Sequence, residues 1–350
     1  MNANIVPISL NANSGSKIDI AHDEIEECSF GELAAPFEGQ PVKLDESDLE
    51  EFVRKNPGLF FQDDETLLIV GQQVRDKIGK RSDLVAIDAK GNIVYIELKR
   101  DHGDMAVRKE PLEFQAVRYA ANYARIESRD KLVELLFGQY VEKHRSEFSK
   151  KEGKANQVAK DCLDEFLDNV SHDDFNEKQR IVLIAASFDE ESRSACAWLA
   201  KNGIDLRCLT VNPFKYGQQV FLAIETIIPP PKIESFYVDV AQPTQIGKKV
   251  SKGESAASKE SLPRIPKLFE WGLIKAGDKV YIKTQQEEIA EVLDSKRVRY
   301  KGQSMSFNEW GRLVTGWSAI NVYEWTVVEG SKRTLDELRA EKLEALKNAL

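Results

Sequence analysis

Asp83, Glu97 and Lys99 lie on two strand-like runs joined by a tight turn, and together they have the makings of a divalent-metal site. Side chains on a strand repeat every second residue, so Asp83, Val85 and Ile87 share a face, as do Ile93, Tyr95, Glu97 and Lys99. The connector Asp88-Ala-Lys-Gly-Asn92 suits a three-residue hairpin loop with Gly91 in the left-handed region. In that register Ile87 opposes Ile93, Val85 opposes Tyr95, and Asp83 opposes Glu97. The two carboxylates then stand roughly 5 Å apart, a pairing that destabilises a sheet unless a cation lies between them. Mg2+ takes hard oxygen ligands and keeps several waters, which two carboxylates suit. Such an ion polarises a phosphate oxygen and acidifies a water, while a lysine on the same face orients that water or stabilises developing charge. These are the requirements of phosphodiester hydrolysis. Without a metal, the same residues read as an exposed strand face carrying a Glu97/Lys99 pair and a capping Asp83.

Several elements must position this group. Ser47-Asp-Leu-Glu50 is a capping-box pattern and predicts a helix from Ser47 that ends at Asn56-Pro57. Strands are expected at 67–74, 82–88 and 92–99, followed by a helix at 111–123 with Leu112, Ala116, Tyr119 and Tyr123 at helical spacing. Residues 126–175 predict one or two surface helices. The continuous apolar run from Ile181 to Ala186 predicts a strand buried on both faces, then a helix at 190–201 and strands at 204–211 and 219–228. Alternating strands and helices give an α/β domain with a mixed sheet over 41–232.

Beyond it, Pro229-Pro-Pro231 and the Ser/Lys/Gly/Ala-rich stretch that follows read as a linker over 233–261. A small α+β domain is expected over 262–340, with strands at 279–283, 289–293, 297–300 and 323–328 and a helix from Ser306, where Ser306-Phe-Asn-Glu309 is a second capping box. A helix from Thr334 extends into 341–350.

At 350 residues, 42% apolar and 31% charged, the chain has the composition of a globular protein of two domains. Its formal charge of -9 is deceptive. Residues 1–50 hold eleven acids against Lys17 and Lys43, which leaves the other 300 residues neutral. An acidic whole-chain balance therefore does not exclude a nucleic-acid partner. Residues 1–40, acidic and aperiodic, are expected to form a flexible tail. Cys28, Cys162, Cys196 and Cys208 lack metal-ligand spacing, so reduced thiols and a cytoplasmic location are expected. No leader-like N-terminus and no apolar run of membrane length are present, so no membrane partner is expected. His22, His102, His144 and His172 are scattered and read as surface residues, and phosphate-binding glycine loops are absent, so neither ATP nor a nicotinamide is indicated.

The chain resembles the PD-(D/E)XK nucleases, close to a branch of small DNA endonucleases. The resemblance is carried, in order, by Leu49-Glu50-Glu51-Phe52-Val53-Arg54-Lys55-Asn56-Pro57, Gly71-Gln72-Gln73-Val74, Asp83-Leu84, Glu97-Leu98-Lys99 and Gln115-Ala116-Val117-Arg118-Tyr119-Ala120. Ser82 stands where the name-giving proline would. The resemblance covers about 45–228 and implies a restriction-endonuclease-like core. It further implies that Glu50 is a helix carboxylate approaching the metal or its water, that Asp83 and Glu97 are Mg2+ ligands, with Mn2+ able to substitute, and that Lys99 is the catalytic lysine. Gln115 and Tyr119, one helical turn apart, would line the same site. Glu50 read alone closes its capping box, and Tyr119 read alone is core. Arg81, Arg100, Arg108 and Arg118 are candidate phosphate contacts, each of which also reads as a solvated charge.

A second resemblance covers about 262–340. Phe269-Glu-Trp-Gly-Leu-Ile-Lys-Ala-Gly-Asp-Lys-Val280, Arg299-Tyr-Lys-Gly-Gln-Ser-Met-Ser306, Val314-Thr-Gly316, Asn321-Val-Tyr-Glu-Trp325 and Arg333 to Arg339 are similar to the RAMA domain, named for restriction enzymes and adenine methylases. Val322-Tyr323 replaces the usual Gly-Trp pair after Asn321. The resemblance implies DNA binding. Trp317, Tyr323 and Trp325 offer stacking surfaces and Lys296, Arg297, Arg299 and Lys301 a basic ribbon, with Asn321 as a further contact; the aromatics also read as core.

Together these expectations describe a Mg2+-dependent DNA endonuclease of restriction or defence, with DNA as partner and a homodimer as the form that would cut both strands. An RNA or structure-specific DNA nuclease in repair and a non-catalytic DNA-binding adaptor are the alternatives.

Overall fold

A computed structural model describes residues 8–12, 18–22, 26–27, 34–37, 40–43, 46–61, 65–75, 81–99, 111–149, 151–168, 170–171, 174–216, 219–229 and 262–348. Cα proximity divides the chain into two units, 1–229 with 316–319, and 230–315 with 320–350. The expected linker at 233–261 lies outside the described residues.

In the first unit helix α1 (Glu46–Lys55) and the single turn α2 (Pro57–Phe60) precede β6 (Leu67–Arg75), β7 (Arg81–Asp88) and β8 (Ile93–Lys99). Helix α3 (Leu112–Tyr123) and a helical stretch built from α4 (Arg129–Leu132), a π-turn (Val133–Phe137), α5 (Gly138–Lys143) and α6 (Ala155–Phe166) lead to β9 (Arg180–Ala185). Helix α7 (Glu190–Lys201), β10 (Asp205–Tyr216) and β11 (Gln219–Ile228) follow. The sheet runs β11-β10-β9-β8-β7-β6, antiparallel at β6/β7, β7/β8 and β10/β11 and parallel at β8/β9 and β9/β10. Parallel neighbours need crossovers, and α3 to α6 supply one and α7 the other.

The hairpin forms in the expected register, with Ile87 opposite Ile93 and Val85 opposite Tyr95. Gly91 has φ +83°, and the Asp88 carboxylate closes the turn by accepting from the N–H groups of Lys90 (3.0 Å) and Asn92 (2.9 Å). Leu84 to Ile87 and Ile93 to Ile96 are buried on both faces, as befits central strands.

Three local readings change. Residues 8–12 and 18–22 pair as β1 (Ile8–Ala12) and β2 (Ile18–His22), β3 (Glu26–Glu27) pairs with β10, and β4 (Ala34–Phe37) pairs with β5 (Gln40–Lys43), so backbone pairing runs through the expected tail. Apolar residues alternate at Ile8/Leu10 and Ile18/Ile20, a period-2 signal short enough to be hidden by the acidic composition. The helices of 126–166 are more than surface helices, because Leu132, Phe137, Val141, Val158 and Leu163 are fully buried. Helix α1 begins at Glu46, one residue before the expected start, and the Glu50 carboxylate bonds Gln72 and Gln73.

The second unit contains α8 (Ile265–Glu270), β12 (Lys279–Ile282), β13 (Gln285–Val292), β14 (Arg297–Tyr300), β15 (Gln303–Ser306), α9 (Phe307–Thr315), the turn α10 (Val322–Trp325), β16 (Thr326–Val328) and α11 (Leu335–Asn348). Its antiparallel sheet runs β15-β14-β13-β12-β16. The Ser306/Glu309 box forms reciprocally, at 2.8 Å from Ser306 N to Glu309 Oε2 and 3.2 Å from Glu309 N to Ser306 Oγ. Residues 323–325 are helical where a strand was expected: the Asn321 side chain caps the turn by accepting from Tyr323 N (3.1 Å) and Glu324 N (3.4 Å), which delays the strand to Thr326.

Candidate active site

Beyond Leu84/Ile96 the hairpin ladder gives way to side chains. The N–H of Leu98 donates to Asp83 Oδ2 at 2.8 Å, so the carboxylate of Asp83 takes a bond that backbone would otherwise make. Glu97, 1% exposed, is gripped from both sides, because its Oε2 accepts from the Tyr95 hydroxyl and its Oε1 from the Gln115 amide. Tyr95 and Glu97 share a face two residues apart, and Tyr95 is fixed by the rings of Tyr119 (5.1 Å between centroids) and Tyr123 (6.2 Å).

Lys99 completes the group. Its ammonium donates to the Leu98 carbonyl at 2.8 Å and to Glu46 Oε1 at 3.1 Å and lies 3.4 Å from Glu97 Oε1. Burial pushes the Asp83 carboxyl well above the usual range, and the like charge of Glu97 adds to it. Glu97 is raised as well, chiefly by burial, against which Lys99 and the Tyr95 hydroxyl act. Burial would lower the Lys99 ammonium, but Glu97, Asp83 and Glu46 together hold it above its ordinary value, so it stays charged. Two buried carboxylates of raised pKa are a hard-oxygen donor set beside the Lys99 ammonium. Among the described residues no group of three or more His, Cys, Asp or Glu side chains is arranged to hold a metal. Two carboxylates of this kind could hold an ion that accepts hard oxygen ligands and keeps its waters, as Mg2+ does.

Glu50 bonds a different set of side chains. It is buried, and its two oxygens accept from Gln72 Nε2 at 2.8 Å and Gln73 Nε2 at 3.0 Å. Adjacent strand residues normally point to opposite faces. Here the register shifts between Ile69 and Gly71, and Gln73 adopts φ +53°, which turns both amides toward one carboxylate. At the shift, a Cβ on Gly71 would meet Val74 Cγ2 at 2.9 Å. The helix carboxylate that reaches Lys99 is Glu46, one turn earlier, and sequence reasoning missed it. Its signal was the i, i+4 spacing of Glu46 and Glu50 on one helix.

Ser82, at the position of the absent proline, is buried, with its hydroxyl 2.6 Å from the Tyr123 hydroxyl. Tyr119 is buried behind the site as core, and Arg118 stacks over its ring at 5.2 Å. Arg81 is exposed at the start of β7, while Arg100 and Arg108 lie outside the described residues. In the second unit Arg297 is paired with Asp294 (2.8 Å), Arg299 with Glu291 (3.1 Å) and Lys301 with Glu288 (3.0 Å), so the basic ribbon is offset by acids of its own sheet. Trp317, Tyr323 and Trp325 are buried, and Asn321 is a helix cap.

No family model matches the chain, and no curated protein does. A solved structure titled "Structure of EndoMS-dsDNA2 complex" is similar over 49% of this chain and 47% of that one, at 20% identity and a TM-score of 0.25, so the chain spans about half the length of that protein. The mixed sheet flanked by helices is an α/β core, accompanied by a separate antiparallel-sheet unit. Among the described residues no helix is long and apolar enough to cross a membrane.

Proposed function

We propose that the chain is a divalent-metal-dependent endonuclease acting on DNA. The observation that carries this reading is the placement of Asp83 and Glu97, two buried carboxylates of raised pKa, beside the charged ammonium of Lys99 at the end of a central hairpin. Asp83 and Glu97 would hold Mg2+ or Mn2+, which supplies Lewis acidity to a phosphate oxygen and to a water. Tyr95 and Gln115 fix the rotamer of Glu97, and the Leu98 N–H fixes that of Asp83. Lys99, held by Glu46, supplies positive charge beside the attacked phosphorus and is placed to orient the water.

Restriction of, or defence against, foreign DNA is the setting that the sequence resemblance supports, with the second unit as the recognition module and a second copy to cut the opposite strand. The self-paired ribbon of the second unit directs that recognition away from Arg297 and Arg299. The test is incubation of purified protein with modified and unmodified plasmid in Mg2+ or in chelator. Nicking or linearisation in Mg2+ alone, lost in Asp83→Asn, is the expected result. Undiminished cleavage by Asp83→Asn would sink the assignment.

A further inference from the structure

A second group of polar residues gathers near Glu50. Glu50 is buried on α1 and fixes the Gln72 amide, whose Oε1 in turn accepts from Lys143 Nζ at 2.9 Å and stands 2.9 Å from His144 Nε2. The His144 ring is set by Tyr140, 4.6 Å away between centroids. Arg81 and Lys143 both lie near enough to Glu50 to favour its charged form.

The pairing of Lys143 differs from that of Arg54, Arg180 and Lys151 in this unit and resembles that of Arg145, which bonds the carbonyls of Lys151 and Gly153. Arg54 closes on Glu51 and Glu147, Arg180 on Glu65, Asp88 and Asp205, and Lys151 on Glu165. Lys143 instead closes on a neutral amide oxygen, which holds the ammonium in place, with Glu50 near it but not in an ion pair with it. An ordered cation of this kind meets an anion without a further loss of side-chain freedom. Position matters too. Glu46, which holds Lys99, and Glu50, which anchors Gln72, are one turn apart on α1, roughly 6 Å along the axis. That is the scale of the step between successive phosphates of one strand.

We propose that Lys143, His144 and Arg81 form a phosphate-binding rim that grips the nucleic-acid backbone beside the bond cut at Asp83 and Glu97, with Glu50 and Gln72 as positioning residues. The identity of the polymer and its cleavage rest on the nuclease reading; the rim itself is a binding site and is tested without chemistry.

The experiment is fluorescence anisotropy of the full chain on a short labelled DNA duplex in chelator, across a salt series, for wild type, Lys143→Gln, Lys143→Arg and Lys160→Gln. Gln at 143 keeps a donor for Gln72 and loses the charge; Lys160, exposed and paired with Asp130, is the control for general surface charge. Lys143→Gln is expected to weaken binding about 5- to 10-fold at low salt and to lower the slope of log K against log salt by about one. Lys143→Arg should retain the wild-type slope, and Lys160→Gln should change neither quantity. An unchanged slope in Lys143→Gln, or an equal loss in Lys160→Gln, overturns the rim. Cleavage of plasmid in Mg2+ separates the two ideas: a wild type that never cuts but shows the Lys143 slope change retains the rim and loses the nuclease, and a wild type that cuts while Lys143→Gln binds unaltered does the reverse.

Discussion

Lys99 Nζ donates to Glu46 Oε1 at 3.1 Å, which links the end of the central hairpin to the first turn of α1. Because Glu97 is 3.4 Å from the same ammonium, Lys99 is shared between one carboxylate of the proposed metal pair and one outside it. Glu46→Gln should therefore misplace Lys99 and slow cleavage by about 10- to 100-fold, or roughly 1.4–2.7 kcal/mol of barrier. Glu50→Gln, which leaves Lys99 untouched, should act mainly on binding. Single-turnover rates on both variants at saturating enzyme check this, and equal chemical rates in Glu46→Gln and wild type would remove Glu46 from the site.

Asp83→Asn, Glu97→Gln and Lys99→Met should each reduce cleavage by orders of magnitude, and the double variants should be little worse than the singles, because the three serve one metal-water assembly. The metal-free protein should respond differently. Asp83 and Glu97 both have folded pKa values raised above the unfolded ones, so the fold binds more protons than the unfolded chain between those values. Their contribution is fully present below the unfolded value near 4 and is lost as pH rises through the raised folded values. In chelator, Tm should fall on going from weakly acidic to neutral pH, Asp83→Asn should flatten that fall, and Mg2+ should reverse it in wild type alone. A Tm that rises over this range in chelator would contradict the raised values.

Much of the site was legible because strand periodicity is simple. Asp83, Glu97 and Lys99 follow from a period of two and a turn glycine, and both are local properties of the hairpin. Gln115 came from the motif resemblance and does reach Glu97. Glu46 and Glu50 could not be told apart in the same way, since the choice depends on how α1 meets the sheet, a long-range fact. The register shift at Ile69/Gly71 and the left-handed Gln73 decided it, and a non-glycine residue gives no sign of positive φ. The acids beside the basic ribbon were not legible for a related reason: Arg297 and Arg299 alternate as a nucleic-acid strand would, while Glu291 and Asp294, which pair with them, precede them in sequence and meet them only once β13 and β14 and their connecting turn have folded.

From that pairing a further expectation follows. Arg297→Ala with Arg299→Ala in the full chain should change DNA affinity by no more than about twofold, since both guanidiniums are already spent on Asp294 and Glu291 at exposed positions worth little in stability. Electrophoretic mobility at low salt decides it, and a loss of about tenfold or more would show that the ion pairs open onto DNA.

Gln73 holds a conformation that costs an L residue roughly 1–2 kcal/mol, and its amide bond to Glu50 offsets that cost. Gln73→Ala keeps the strain and loses the bond, whereas Gln73→Gly loses the bond and relieves the strain. Urea denaturation should therefore rank wild type above Gly and Gly above Ala, with about 1 kcal/mol between the two variants. If Ala were the more stable, the positive φ would not persist in solution.

Arg54 ties α1 to the helical stretch after α3. It is buried and donates to Glu51 Oε2 (2.7 Å), Glu147 Oε1 (2.8 Å) and the Tyr140 hydroxyl (2.8 Å). The hydrogen bonds from Arg54 hold Glu51 down at about 2. A depressed carboxylate contributes stability above its unfolded value, near 4.5, and loses it as pH falls toward the folded one. Glu51 is 37% exposed at its side chain, so solvent screening reduces that contribution below what the shift alone implies. Arg54→Met should lower stability at neutral pH by about 1–3 kcal/mol, less than for a fully buried pair because Glu51 and Glu147 can turn to water. The same variant should shallow the loss of stability between pH 4.5 and 2 in acid titrations followed by circular dichroism. It should also weaken DNA binding slightly, because Tyr140 sets the ring of His144 and Arg54 holds Tyr140. An acid limb as steep in Arg54→Met as in wild type would show that Glu51 owes its low pKa to something other than this guanidinium.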